Sequence, residues 1–307
     1  MGREERLAKG GEGMSYIDTL RKSAEEAGNV VCMGLDPVIS VLPASEEPIR
    51  ERLSGYFATI FRRMRLEGVS PAAFKPNLGY YSSLDNPREE DFQGSLALVD
   101  ILDLIENFFP GVPVILDSKR GDIARSSGNY AKEAFDCWKA DAVTVSPYMG
   151  TDSVLPFAYE GKGVYVLNRT SNPGAVDLQN MLTVDSVDEK ELYPMYIAVA
   201  HRIAYWASEH PGIGAVVGAT SMKELGEIAA YYAGRDIPML IPGVGSQGGS
   251  ASDVIDALGK AGYPLSLARI NSSSGLTHPW KKGEAPDDWL DQVMAAIHAL
   301  FEEASLR

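Results

Sequence analysis

From Tyr16 onward the chain alternates short β-branched or apolar runs with longer segments whose apolar residues recur at helical spacing. Eight runs read as strands, at residues 30–35, 72–75, 112–116, 142–145, 164–167, 215–217, 238–241 and 265–270. Between them, segments such as 95–108 and 192–208 have the spacing of helices packed on a sheet, and Tyr16-Ile17-Asp18-Thr19-Leu20 opens an amphipathic helix. Repeated βα units specify parallel strands, and eight of them close a (β/α)8 TIM barrel as a single domain. An open doubly wound sheet fits the same alternation, but no Gly-x-Gly-x-x-Gly turn follows the first run, so the barrel is preferred. Residues 2–13 are charged and Gly-rich without apolar periodicity. Residues 1–13 are therefore expected to be a disordered N-terminal extension, and 14–307 the barrel domain, with Met14 a second candidate start of translation.

Composition narrows the possible partners. With 45% hydrophobic and 23% charged residues the chain has ample material for a core. A formal net charge of −14 repels a phosphate backbone, which argues against nucleic acid as a partner and requires any small anionic ligand to find a locally positive pocket. No apolar run approaches the roughly 18 residues of a membrane span, and no hydrophobic signal core follows the N-terminus, so no membrane association is expected. The two cysteines, Cys32 and Cys137, are widely spaced and suggest neither a disulfide framework nor a metal motif. These features point to a cytoplasmic protein.

Polar residues gather directly after several strand runs: Asp36, Lys75 with Asn77, Asp117 with Lys119, Ser146, residues 168–172 and residues 243–249. In a barrel the C-terminal strand ends converge on one mouth, so these groups can share a site. The strongest local signal is Ile115-Leu116-Asp117-Ser118-Lys119-Arg120-Gly121-Asp122-Ile123, where a buried-strand pattern runs into alternating charges. Side chains two apart on an extended chain share a face, which sends Asp117 and Lys119 together into the mouth. Taken alone, that pair reads at least as well as a structural ion pair at a strand end. Lys75 changes the balance, because it ends the neighbouring strand, about 5 Å away, and completes a Lys-Asp-Lys-Asp array with Asp122. Such an array keeps an ammonium group charged in a partly dry pocket and presents it as a proton donor, while its carboxylate disfavours a second anion nearby. Those are the requirements of a decarboxylation.

The segments Gly34-Leu35-Asp36-Pro37, Phe74-Lys75-Pro76-Asn77, Asp117-x-Lys119-x-x-Asp122-Ile123, Thr170-Ser171-Asn172-Pro173-Gly174 and 242–249 together resemble the orotidine 5'-phosphate decarboxylase family, in its longer bacterial branch. The resemblance spans residues 17–276 and implies cofactor-independent conversion of orotidine 5'-phosphate to uridine 5'-phosphate in pyrimidine biosynthesis, with no metal. It implies that Lys119 donates the proton to C6, that Asp117 faces the substrate carboxylate, and that Lys75 orders both. Asp122, with Ile123 beside it, would be contributed across a homodimer interface to the other subunit's site. Asp36 would bind ribose hydroxyls and Ser171 the pyrimidine amide edge. Gln247 would bridge base and phosphate, with Pro242, Gly248 and Gly249 in the same substrate-binding loop. That glycine-rich loop, followed by Ser250, Ser252 and Asp253 as helix-capping residues, suits a phosphate site after the seventh strand.

One departure from the family pattern concerns the phosphate. After the eighth run the family carries an arginine, whereas this chain reads Ile270-Asn271-Ser272-Ser273-Ser274-Gly275, which leaves Ser273 and Ser274 as the candidate phosphate ligands. Serine cannot reproduce a guanidinium's charge and paired donors. Arg269, Arg169, Lys281 and Lys282 are the possible substitutes. A metal-dependent lyase of the same superfamily would need further strand-end carboxylates beyond Asp36 and Asp117, and a non-catalytic nucleotide-binding barrel would leave an unused set of buried charges. His201, His210, His278 and His298 lack metal-ligand spacing.

Overall fold

The computed structural model describes residues 14–184, 191–245 and 249–306. Eight parallel strands form one sheet: β1 (Val31–Leu35), β2 (Ala73–Pro76), β3 (Ile115–Arg120), β4 (Ala142–Val145), β5 (Gly163–Arg169), β6 (Ile213–Val217), β7 (Met239–Pro242) and β8 (Ala268–Ser272). Their order is β2-β1-β8-β7-β6-β5-β4-β3. The two ends of that order meet: parallel bridges join Phe74 to Val114 and Asn77 to Asp117, and the Phe74 N–H donates to Pro113 O at 3.0 Å. The sheet is thus rolled into a barrel and the open doubly wound alternative falls. Residues 1–13, expected to be an extension, lie outside the described residues.

The first helix, α1 (Tyr16–Ala27), buries Tyr16, Ile17, Leu20, Ser23 and Ala24, the stripe that a 3.6-residue period places on one face. Ser15 caps it by accepting from the Asp18 N–H at 3.1 Å, and Gly28, at φ 67°, ends it in the left-handed conformation that glycine adopts without steric cost. Full burial of Leu20 contributes about 1.5–3 kcal/mol. The buried stripe closes the base of the barrel. Ser23 Oγ donates to Ala72 O at 3.0 Å, and the fully buried Arg269 donates to Leu20 O at 2.6 Å and Ser23 Oγ at 2.7 Å. Arg269 also donates to Ser266 O and Ala268 O, so both terminal nitrogens of its guanidinium are bound at the base. It is no substitute at the mouth.

Prolines explain most of the differences from the expected boundaries. The run at 112–116 contains Pro113, and regular pairing starts only at Ile115 and then continues through the charged residues to Arg120. At 265–270, Leu265–Leu267 form a single 3-10 turn after Pro264, and β8 starts at Ala268. The helix expected over 192–208 begins at Met195, because Pro194 restrains Tyr193 from helical geometry and Leu192–Pro194 instead pairs antiparallel with Leu182–Val184. Residues 185–190, between these two strands in sequence, lie outside the described set.

The other long helices are α2 (Ile49–Leu66), α3 (Gln93–Phe108), α4 (Ala124–Lys132), α5 (Met195–Glu209), α6 (Met222–Tyr232), α7 (Ala251–Lys260) and α8 (Trp289–Glu303). Ser250 caps α7 as its sequence suggests, accepting from the Asp253 N–H. Close packing between strands leaves no space at Gly214 of β6: a Cβ there would overlap Pro238 O and lie 2.7 Å from Pro238 Cγ. Backbone on both sides cannot retreat without parting β6 from β7. Gly214→Ala is therefore expected to cost about 1–3 kcal/mol of stability, the range of an overpacked core, read as a lower urea midpoint. An unchanged midpoint would show that these strands separate easily.

Candidate active site

Asp117 on β3 is the centre of the barrel mouth. Its Oδ2 accepts from Lys75 Nζ at 2.9 Å, and its Oδ1 accepts from Lys119 Nζ at 2.6 Å and from Thr144 Oγ1 at 2.9 Å. Lys75 and Asp117 are buried, whereas the Lys119 side chain is 50% exposed and opens into the cavity. Lys119 is thus held at one end and free to meet a ligand at the other.

The juxtaposition is reached through an irregular backbone rather than the plain extended strand expected from sequence. Between Leu116 and Arg120 the register of β3 against β4 shifts, because four residues on β3 span what two span on β4. Lys119 sits at φ 45°, a left-handed conformation that costs an ordinary residue roughly 1–2 kcal/mol. Thr144 compensates. Its Oγ1 accepts from the backbone N–H groups of Ser118 at 3.1 Å and Lys119 at 2.9 Å, and its one proton goes to Asp117. One buried hydroxyl therefore holds both the bulge and the carboxylate.

The charges are mutually dependent. Burial pushes the Lys75 ammonium towards deprotonation, but the carboxylates of Asp36 and Asp117 outweigh it and raise its pKa. Burial likewise favours the neutral form of Asp117, but Lys75 and then Lys119 hold its pKa well below the carboxylate range. Asp36 is fixed by accepting from the Asn77 N–H at 3.1 Å.

A cavity of about 610 Å³ opens above this array, within the size range of small-molecule sites. Asp36, Lys75, Asp117, Lys119, Ser171, Pro242, Ser273 and Ser274 all line it, so eight of the expected residues are brought together. Asp122 and Ile123 do not line it. They follow β3, with Asp122 Oδ1 accepting from the Ile123 N–H at 2.7 Å and Ile123 49% exposed. Gly249 is bridged to Val244 in the loop after β7 but does not line the cavity, and Gln247 and Gly248 lie outside the described residues. Residues that the sequence did not single out also line it, among them Thr144, Gln179, Asn271 and His278. Gln179 closes the loop after β5, accepting from the Thr170 N–H at 2.9 Å and donating to Thr170 Oγ1 at 2.8 Å.

None of the possible arginine substitutes lines the cavity. Arg169 pairs with Glu224 at 2.8 Å and donates to Thr170 O at 2.6 Å, while Lys281 and Lys282 are exposed away from the cavity. Among the described residues, Lys75, Lys119 and His278 are the cavity-lining groups that can carry positive charge. No group of three or more His, Cys, Asp or Glu among the described residues could hold a metal ion.

Residues 65–262 match the sequence profile described as Orotidine 5'-phosphate decarboxylase / HUMPS family. The orotidine 5'-phosphate decarboxylase of Cupriavidus metallidurans is 41% identical over 272 residues, covering 86% of this chain and 90% of that protein. That of Ralstonia pickettii is 40% identical over 270 residues, covering 86% and 90%. Among solved structures, the OMP decarboxylase of Leishmania donovani superposes with a TM-score of 0.71 at 30% identity, covering 95% of this chain and 97% of that one.

The depressed pKa of Asp117 fixes how stability depends on pH. Because its folded pKa lies below the unfolded value near 3.9, its stabilising contribution is complete above that value and is lost as the pH falls towards the folded pKa. Asp117→Asn leaves Lys75 buried without this partner, which should cost about 3–5 kcal/mol at pH 7. The gap between parent and variant should shrink below about pH 4, in denaturant titrations across pH. A gap independent of pH would show that the carboxylate is not ionised in the folded protein.

Proposed function

The chain belongs to the orotidine 5'-phosphate decarboxylase / HUMPS family, and we propose that it converts orotidine 5'-phosphate to uridine 5'-phosphate with Lys119 as the proton donor and with no metal or organic cofactor. The observation that carries the mechanism is Lys119, its Nζ anchored on buried Asp117 while its side chain is half exposed and lines the cavity. The C6–carboxylate bond breaks heterolytically, carbon dioxide leaves, and the electron pair stays on C6. That carbanion has no conjugated sink, so a fixed ammonium beside it supplies the stabilisation and then the proton. Solvent reprotonates Lys119. Asp117 faces the substrate carboxylate, and Lys75, bonded to its second oxygen, keeps it from turning away.

The remaining assignments follow the cavity. Asp36 takes ribose hydroxyls, Ser171 the amide edge of the pyrimidine, and Ser273 and Ser274 the phosphate, supported by their shared lining of one space. The family resemblance assigns base and phosphate contacts to Gln247, with Pro242, Gly248 and Gly249 as further substrate-binding residues. We also assign a homodimer in which Asp122 and Ile123 complete the partner's site. In support, neither lines its own cavity, and exposed apolar side chains, Phe92, Leu96, Val99, Ile123, Tyr148 and Met149, lie on segments after β2, β3 and β4. No helix among the described residues is long and apolar enough to cross a membrane. The two free cysteines suit a cytoplasmic location, and the net charge of −14 disfavours nucleic acid.

Lys119→Ala should lower uridine 5'-phosphate formation, followed by absorbance, by roughly 10²-fold or more, while a chelator leaves the parent's rate unchanged. Turnover within tenfold of the parent would remove Lys119 as donor, and loss of activity on chelation would require a metal.

Mixing inactive Lys119→Ala and Asp122→Ala protomers tests the shared site. In each heterodimer one site receives both intact groups and the other neither, so up to a quarter of the parent's activity per site should return after statistical exchange, about half the protomers being in heterodimers with one working site each. Full subunit exchange with no recovery would place Asp122 in its own chain's site or outside catalysis.

A further inference from the structure

His278 stands in the wall of the cavity, 4% exposed, just after the short helix Ser274–Thr277. Its backbone N–H donates to Ser274 O at 3.1 Å. Its ring lies edge-on to Trp280, at 6.4 Å between centroids, and Trp280 Nε1 is itself tied to Val41 O at 2.9 Å. The ring is therefore held from both sides.

Two contacts meet at the hydroxyl beside its ring. Thr277 Oγ1 donates to Ser273 O at 3.1 Å and also lies 2.9 Å from His278 Nδ1. A hydroxyl has one proton, and we assign it to Ser273 O, the arrangement in which Nδ1–H donates to Thr277 Oγ1. Burial lowers the pKa of the ring, and the Asp36 carboxylate opposes that shift without overturning it, so the ring is neutral near pH 7. A neutral imidazole with its proton on Nδ1 presents Nε2 as a bare acceptor. Among the described residues the hydrogen bond of the ring is made at Nδ1, which leaves Nε2 for a ligand.

An acceptor beside a carboxylate does not suit a phosphate dianion, which also only accepts. It suits a hydroxyl. We propose that His278 Nε2 accepts a hydrogen bond from a ribose hydroxyl of the nucleotide, next to Asp36, and so makes the site selective for ribonucleotides. This rests on the decarboxylase reading of the cavity. It also means that His278 is not the stand-in for the absent phosphate-binding arginine, although it is the third cavity-lining group able to carry positive charge.

Titration calorimetry with uridine 5'-phosphate, its 2'-deoxy and 3'-deoxy analogues, and uridine tests this on the full-length parent, His278→Phe and His278→Gln. In the Phe variant uridine 5'-phosphate should bind roughly three- to tenfold more weakly, the effect of one lost neutral hydrogen bond. One of the two deoxynucleotides should bind parent and variant alike, so that the preference for that hydroxyl disappears. The Gln variant, whose amide oxygen can accept, should keep most of the preference. The preference for uridine 5'-phosphate over uridine should stay as in the parent for both variants. If the Phe ring displaces Trp280 and the protein fails to fold, His278→Leu removes the acceptor with less volume and carries the same expectation. Unchanged preference for both hydroxyls, or a selective loss of the phosphate preference, overturns the proposal. A parent that binds no uridine 5'-phosphate overturns the decarboxylase reading itself, and this inference with it.

Discussion

The site is organised by one buried carboxylate. Asp117 accepts from two ammonium groups and a hydroxyl, on β2, β3 and β4, and the two buried donors, Lys75 and Thr144, are costly to bury without it. Desolvation and attraction are both large there, and the sign of the pKa shifts shows that attraction wins: the acid is held ionised and Lys75 is held charged. The result is a fixed field aimed at one point in the cavity. Little reorganisation remains when a ligand arrives, which is the condition under which electrostatic stabilisation accelerates a reaction most.

Much of this was legible in the sequence. Strand runs are short, apolar and evenly separated by helical patterns, so their period and number identified the barrel, and strand ends in a barrel converge by topology. Asp117, Lys119 and Lys75 were visible because opposite charges directly after apolar runs are conspicuous. Thr144 was not, since a threonine in a strand has an ordinary β-propensity explanation and nothing local marks its hydroxyl as the acceptor for a bulge. The bulge itself follows from register against β4, a relation between distant segments. His278 was passed over for its lack of metal-ligand spacing, whereas its character depends on which atoms Thr277 bonds.

Arg269 shows the opposite failure, a conspicuous residue with a different task. It stands two residues before Asn271 on the same strand face, yet Asn271 lines the cavity while Arg269 is bound one layer deeper to α1. Alternation gives the face of a strand but not the depth along the barrel axis. Arg169 was removed by Glu224, fifty-five residues away in sequence, through a pair that no local pattern announces.

The barrel ring is weakest in regular pairing between β2 and β3, where isolated bridges at Phe74–Val114 and Asn77–Asp117 take the place of a continuous ladder. The Lys75–Asp117 ion pair crosses that same line. The groups poised for chemistry are thereby also a clasp on the cylinder. Anyone redirecting this scaffold to another reaction by exchanging those charges would have to supply a new fastening between the two strands first.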